Sequence, residues 1–268
     1  IAVLPIPYEA TTSYGHGTKL GPNAIIKASQ IVEYYDEELD QESFRKFGIV
    51  TLKPVNFGKK KGASAMALIE KAVDQILDHE KFPVCLGGEH TISSPIVKSF
   101  YKKLGDNFSV LQIDAHSDLR DSYEGSPWSH ACVMRRIWEF NKNIVQVGIR
   151  AQCSEERELI VNNRIDTFYA KDLQAAGWME RAISKLKDNV YVTIDCDGLD
   201  PSIIPATGTP EPGGLFWYES VKFLRQVFEQ RKVIGFDVVE LAPVKQFSHS
   251  DFTLAKLTYK LMGYAFMK

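Results

Sequence analysis

The chain has 268 residues, 44% of them apolar and 25% charged, with 32 Lys and Arg against 34 Asp and Glu for a formal net charge of −2. This composition excludes a disordered or collagen-like chain, and near-neutral charge without a basic block argues against nucleic acid or an anionic membrane as partner. Apolar stretches reach only five or six residues, far short of the roughly 20 that a spanning helix needs, and the start at Ile1 has no basic n-region, so a cytoplasmic protein is expected.

Short β-branched runs alternate with segments of helical period, the pattern of an α/β protein whose parallel sheet is covered on both faces. In chain order the pattern predicts a strand over Ile1–Ile6, a helix over Asn23–Tyr35 and a strand over Phe47–Leu52. A helix then runs from Gly62 to near Glu80, with Met66, Ile69, Val73, Ile76 and Leu77 at helical spacing. A strand over Phe82–Leu86, a helix over Pro95–Leu104, a strand over Phe108–Asp114 and a helix over His130–Phe140 follow. The remaining strands are predicted over Ile144–Ile149, Thr167–Ala170, Val190–Asp195 and Lys232–Val239, and the remaining helices over Glu155–Asn162, Trp178–Lys187, Trp217–Gln230 and Phe252–Phe266. No linker or repeat divides the chain, so 1–268 is expected to be a single domain. Eight strands can close as a barrel or lie open as a doubly wound sheet, and both place a site at the carboxyl ends of the strands. The four cysteines, Cys85, Cys132, Cys153 and Cys196, are widely spaced without a CxxC, which suits reduced thiols.

Three of these strands end in residues that carry chemistry. The apolar run ending at Ile113 gives way to Asp114-Ala115-His116-Ser117-Asp118, three metal-capable side chains at i, i+2 and i+4, which share one face of extended backbone. The run ending at Ile194 gives way to Asp195-Cys196-Asp197, and the run ending at Leu86 leads through Gly87 and Gly88 to Glu89-His90. Unpaired charges at the ends of buried strands are costly unless a cation compensates them. Two histidines and four aspartates form an oxygen-rich set that suits a pair of divalent ions about 3.5 to 4 Å apart better than one zinc. Mn²⁺ is favoured, with Co²⁺, Ni²⁺ or Zn²⁺ as substitutes. The implied chemistry is metal-assisted hydrolysis.

These residues resemble the ureohydrolases (arginase, agmatinase and relatives), most closely the microbial agmatinases. The resemblance extends through Thr11 to Pro22, Gly87-Gly88-Glu89-His90-Thr91, Asp114 to Asp118, Ser129-His130, Asp195 to Pro201, Pro205 to Pro210 and Phe236 to Pro243. It implies an open, eight-stranded parallel sheet in a three-layer α/β/α sandwich. It further implies two Mn²⁺, with Asp114 and Asp195 bridging, His90 and Asp118 completing one ion, and His116 and Asp197 the other. By the same resemblance Glu240 holds the substrate guanidinium, His130 shuttles protons, Asp118 accepts the proton of the attacking hydroxide and Thr209 steadies the intermediate. Urea and a primary amine leave, and the protein assembles as a homotrimer or homohexamer.

Arginases bind the α-amino and α-carboxylate groups of arginine with Asn and Ser after their second motif, whereas this chain carries Arg120-Asp121-Ser122-Tyr123-Glu124. That resembles agmatinases and makes agmatine the expected substrate, with putrescine as product and polyamine biosynthesis as setting. An acidic residue, Glu124 or Asp121, then attracts the far ammonium, against the competing reading of a surface pairing of Arg120 with either. An inward Arg120 points instead to guanidinobutyrate. Arginine as substrate and a metal-stabilised non-catalytic homologue also stay open. A dinuclear phosphoesterase would want Arg or Lys clamps on phosphate, which the motifs lack.

Overall fold

The computed structural model describes residues 1–267; Lys268, the last residue of the expected domain, lies outside the described residues. Its strands are β1 (Ala2–Ile6), β2 (Tyr35–Asp36), β3 (Gln41–Glu42), β4 (Val50–Thr51), β5 (Pro83–Gly87), β6 (Ser109–Ile113), β7 (Ile144–Ile149), β8 (Asp166–Tyr169), β9 (Asn189–Asp195) and β10 (Lys232–Val239). Its helices are α1 (Gly21–Ser29), α2 (Ala63–Asp78), α3 (Ser93–Leu104), α4 (Val133–Phe140), α5 (Ser154–Asn163), α6 (Trp178–Ser184), α7 (Trp217–Gln230) and α8 (His249–Tyr264).

Eight strands form one sheet in the order β4-β1-β5-β10-β9-β6-β7-β8, and every pair in it is parallel. The sheet has two edges, β4 and β8, and is therefore open. Alternation along each strand sends side chains to two cores. Val84 and Leu86, Leu111 and Ile113, and Val192 and Ile194 pack beneath α1, α6, α7 and α8. Cys85, Val110, Tyr191 and Val239 face α2, α3, α4 and α5. The result is a three-layer sandwich with near-continuous apolar strands, as burial on both faces requires.

All eight predicted strands are present. The helix expected over Asn23–Tyr35 stops at Ser29, and Tyr35–Asp36 instead pairs antiparallel with Gln41–Glu42. Asp36 is buried there and accepts hydrogen bonds from Lys260 Nζ of α8 at 2.9 Å, so a tertiary ion pair overrides local helical period. Cys85, Cys132 and Cys196 are buried thiols and Cys153 is partly exposed, with no disulfide among the described residues.

In the sheet, β5 and β6 are consecutive in this sequence of eight but are separated by β10 and β9. Such a switch in strand order opens a crevice at the carboxyl ends, and those four central strands carry the predicted ligands and Glu240.

Candidate metal centre and active site

His90 opens a short 3₁₀ turn immediately after β5. The approach is tight: a Cβ on Gly88 would stand 2.0 Å from the Tyr8 carbonyl oxygen, so glycine is required where β5 passes the loop after β1. His90 is fully buried, and its Nδ1 lies 3.1 Å from carboxylate oxygens of both Asp114 and Asp118 and 3.4 Å from Asp195. Nδ1 nevertheless makes no hydrogen bond. On the other side of Asp114, His116 Nδ1 lies 3.0 Å from Asp197 and 3.7 Å from Asp114.

Two ligand sets result, His90/Asp114/Asp195 and Asp114/His116/Asp197, each with ligand atoms within 4.8 Å of one another, and Asp114 belongs to both. Neighbouring groups hold these carboxylates in place. Gln112 Nε2 donates to Asp114 Oδ2 at 2.7 Å, the His116 amide to Asp114 Oδ1 at 2.6 Å, the Ala115 amide to Asp197 at 3.0 Å and the Asp197 amide to Asp195 at 3.0 Å. Asp118 sits at φ 53°, in the left-handed region, a strained conformation of the sort found at functional sites. Its carbonyl accepts two amides of the first turn of α4, those of Met134 and Arg135.

The electrostatics show what this cluster lacks. Burial, with repulsion from Asp114, pushes the Asp118 carboxyl up to about 7, and burial with Asp197 and Asp114 drives Asp195 well above the usual carboxylate range. Burial opposes a charged His116, yet Asp197 and Asp114 raise it to about 12. Without cations these groups can be accommodated only by retaining protons. Two divalent ions would displace those protons and meet the orphaned Nδ1 of His90, so the donor set fits them.

Glu240 follows β10, also at positive φ (65°), and its Oε1 accepts the His90 amide at 2.6 Å. Burial and the nearby Glu89 push its carboxyl well up, so its charged form is favoured only when a cation in the site compensates it. His130 starts the turn before α4; its amide and Nδ1 lie 3.0 and 3.3 Å from Thr11 Oγ1, and burial lowers its pKa. Thr11 in turn donates to Glu89 at 2.8 Å. His116, Asp118, His130, Asp195, Asp197, Thr209 and Glu240 all line one narrow cavity of about 20 Å³, together with Thr12 to Gly15 and Gly208. The Gly15 amide donates to the Gly208 carbonyl at 3.1 Å, joining two of the segments that line it.

Glu124 and Asp121 are not brought in. Glu124 is exposed and does not line the cavity, and the exposed Asp121 pairs with Arg136 at 2.8 Å. Arg120 takes neither acid as partner: its guanidinium stands 5.1 Å over the Tyr123 ring and 3.9 Å from Glu156. Sequence pattern alone also passes over four residues that support the site. Glu89 anchors Thr11. Arg150 clamps the carbonyls of Asp197 at 2.6 Å and Glu211 at 2.7 Å, fixing the segment that carries Thr209. Thr193 and Asp237 are buried polar residues inside β9 and β10. Each interrupts a largely apolar strand, a signal that gains meaning only once its partner is known.

The sequence profile of the Arginase family matches residues 1–263. An N(1)-aminopropylagmatine ureohydrolase of Synechocystis sp. is 44% identical over 98% of this chain and 88% of its own. An agmatinase of Pyrococcus horikoshii is 34% identical over 97% of this chain and 90% of its own. The crystal structure of an agmatine ureohydrolase of Thermoplasma volcanium superposes with a TM-score of 0.88 at 28% identity, over 99% of this chain and 89% of that one. With the fold, the paired ligand sets and a match over nearly its whole length, the chain belongs to the arginase family and is a hydrolase of the ureohydrolase type.

Proposed function

We propose that the protein releases urea from a linear amine capped by a guanidino group, using two Mn²⁺ held by His90, Asp114, His116, Asp118, Asp195 and Asp197. The supporting observation is the pair of ligand sets sharing Asp114, with the buried carboxylate of Glu240 on the same cavity. Bound there, the ions would supply a nucleophile at neutral pH by acidifying water.

The remaining steps belong to the protein's own groups. Glu240 meets the guanidinium and, by pairing with two of its N–H groups, fixes the planar carbon over the nucleophile. Asp118 accepts the nucleophile's proton. That proton passes from Asp118 to the departing amine, and His130, whose pKa burial lowers, exchanges protons between the site and solvent. Thr209, on the Arg150-clamped segment, steadies the reacting centre.

No Lys or Arg lines the cavity among the described residues, so no side-chain cation there faces a substrate carboxylate. This favours an amine such as agmatine over arginine or guanidinobutyrate. A second reading is favoured by one comparison: identity is 44% to the Synechocystis N(1)-aminopropylagmatine ureohydrolase and 34% to the P. horikoshii agmatinase. On that reading the preferred substrate is the aminopropyl derivative, and the products are urea and the corresponding triamine. Urea release by the Mn²⁺-loaded protein from agmatine, N1-aminopropylagmatine, arginine and guanidinobutyrate, compared side by side, tests both. One of the two amines is expected to exceed both guanidino acids in kcat/KM. A guanidino acid in first place would overturn the amine assignment.

A further inference from the structure

Beneath His90 lies a buried polar chain that crosses the middle of the sheet. His90 Nε2 is 2.9 Å from Thr193 Oγ1, Thr193 Oγ1 donates to Asp237 Oδ1 at 2.7 Å, and Tyr191 OH donates to Asp237 Oδ2 at 2.6 Å. Ser93 Oγ, at the start of α3, lies 3.1 Å from the same Thr193 oxygen. Tyr191, Thr193, Asp237, Ser93 and His90 are all 0% exposed, so no solvent competes for these bonds. A hydroxyl has one proton and two lone pairs. The Thr193 proton is committed to Asp237, and toward His90 this oxygen can only accept. His90 must therefore carry a proton on Nε2, so Nδ1, which faces Asp114, Asp118 and Asp195, is the atom available to an ion. Nδ1 is the atom left without a hydrogen bond.

We infer that Asp237 and Thr193 are positioning residues that lock the tautomer and ring orientation of His90 and thereby set the affinity of the ion His90 holds. The inference rests on the dinuclear reading above. Imidazole ligands generally donate their second ring N–H to an acceptor that orients them, and loss of that acceptor weakens metal binding by about 10- to 100-fold. Here the acceptor is a threonine, polarised by a buried carboxylate on the neighbouring strand.

The test is metal binding. Wild type, Thr193→Val, Thr193→Ser and Tyr191→Phe are loaded with Mn²⁺, and affinity and stoichiometry are measured by calorimetry and elemental analysis after dialysis. Wild type is expected to hold two ions. Thr193→Val should bind one of them about 10- to 100-fold more weakly and retain one after dialysis, while Thr193→Ser restores the second. Tyr191→Phe removes a hydrogen bond from the same network without touching His90 and should leave both affinities within about threefold. Equal weakening by Tyr191→Phe and Thr193→Val would show a merely structural role and overturn the inference, as would two ions bound by Thr193→Val with wild-type affinity. Failure of wild type to bind two ions would instead defeat the dinuclear reading. Should Thr193→Val not fold, ¹⁵N-histidine spectra of the wild type loaded with diamagnetic Zn²⁺ decide: His90 must show an exchange-protected proton on Nε2, and a proton on Nδ1 overturns the inference.

Discussion

Each ligand at the centre is ordinary chemistry in an unusual place, and the consequences can be measured group by group. Asp118 is raised to about 7 and His116 to about 12, so the folded protein without metal binds protons more tightly than the unfolded chain. Stability then falls as pH rises, between about 4 and 7 through Asp118 and from about 6.5 upward through His116. The melting temperature of EDTA-treated protein should drop between pH 5 and 9, and Mn²⁺ should stabilise more at pH 8.5 than at pH 6, because binding displaces those protons. A stabilisation by Mn²⁺ that does not grow with pH would contradict the assignment. Glu240→Gln, which removes the charge facing the guanidinium, should lower kcat/KM by roughly 100-fold or more while two ions remain bound. His130→Asn should lower kcat by about 10² to 10⁴, again without loss of metal. The six proposed ligand positions are legible in sequence because they stand at or just beyond the ends of apolar strands, and Glu240 through the motif resembling ureohydrolases. Thr193 and Asp237 are not: a single polar residue inside a strand has meaning only through its partner, and His90 lies 103 positions from Thr193. Glu124 resembles a substrate group only through its place beside the second motif. The chain turns there at φ 49° and leaves it exposed.

Among the elements, the strands are the most legible, since burial on both faces leaves continuous β-branched runs that no other segment imitates. Edges are less so: the strand expected over Phe47–Leu52 shortens to Val50–Thr51 at the end of the sheet, where it pairs only with β1. The overshoot of α1 has a tertiary cause. Lys260 and Asp36, 3% and 1% exposed, form a buried pair joined by Glu38 at 3.0 Å, and local period cannot announce a contact across 224 positions. Lys260→Met should strand Asp36 in the interior and cost about 3 to 5 kcal/mol, read as a lowered urea-denaturation midpoint. Because the pair is remote from the cavity residues, KM should stay at the wild-type value at temperatures where the variant is folded.

Taken whole, the molecule turns sequence order into a site by separating β5 from β6. Two strands from late in the chain, β9 and β10, enter between them, and four carboxyl ends converge over one crevice. Barrel and open sheet share the same alternation of elements, so period leaves that choice open; the motifs resembling ureohydrolases point to the open sheet, and the two free edges bear it out. On the proposed function, the same arrangement predicts that stability and activity are linked through metal. The proposed ligands come from three strand ends, and ions held between them would tie β5, β6 and β9 together. The most direct test of this account is urea release by metal-free protein titrated with Mn²⁺ against its preferred guanidino amine. Activity is predicted to rise with the second equivalent per chain and to be absent in Asp114→Asn, whose side chain serves both ligand sets. Full activity at one equivalent, or undiminished urea release by Asp114→Asn, would contradict a shared two-ion centre.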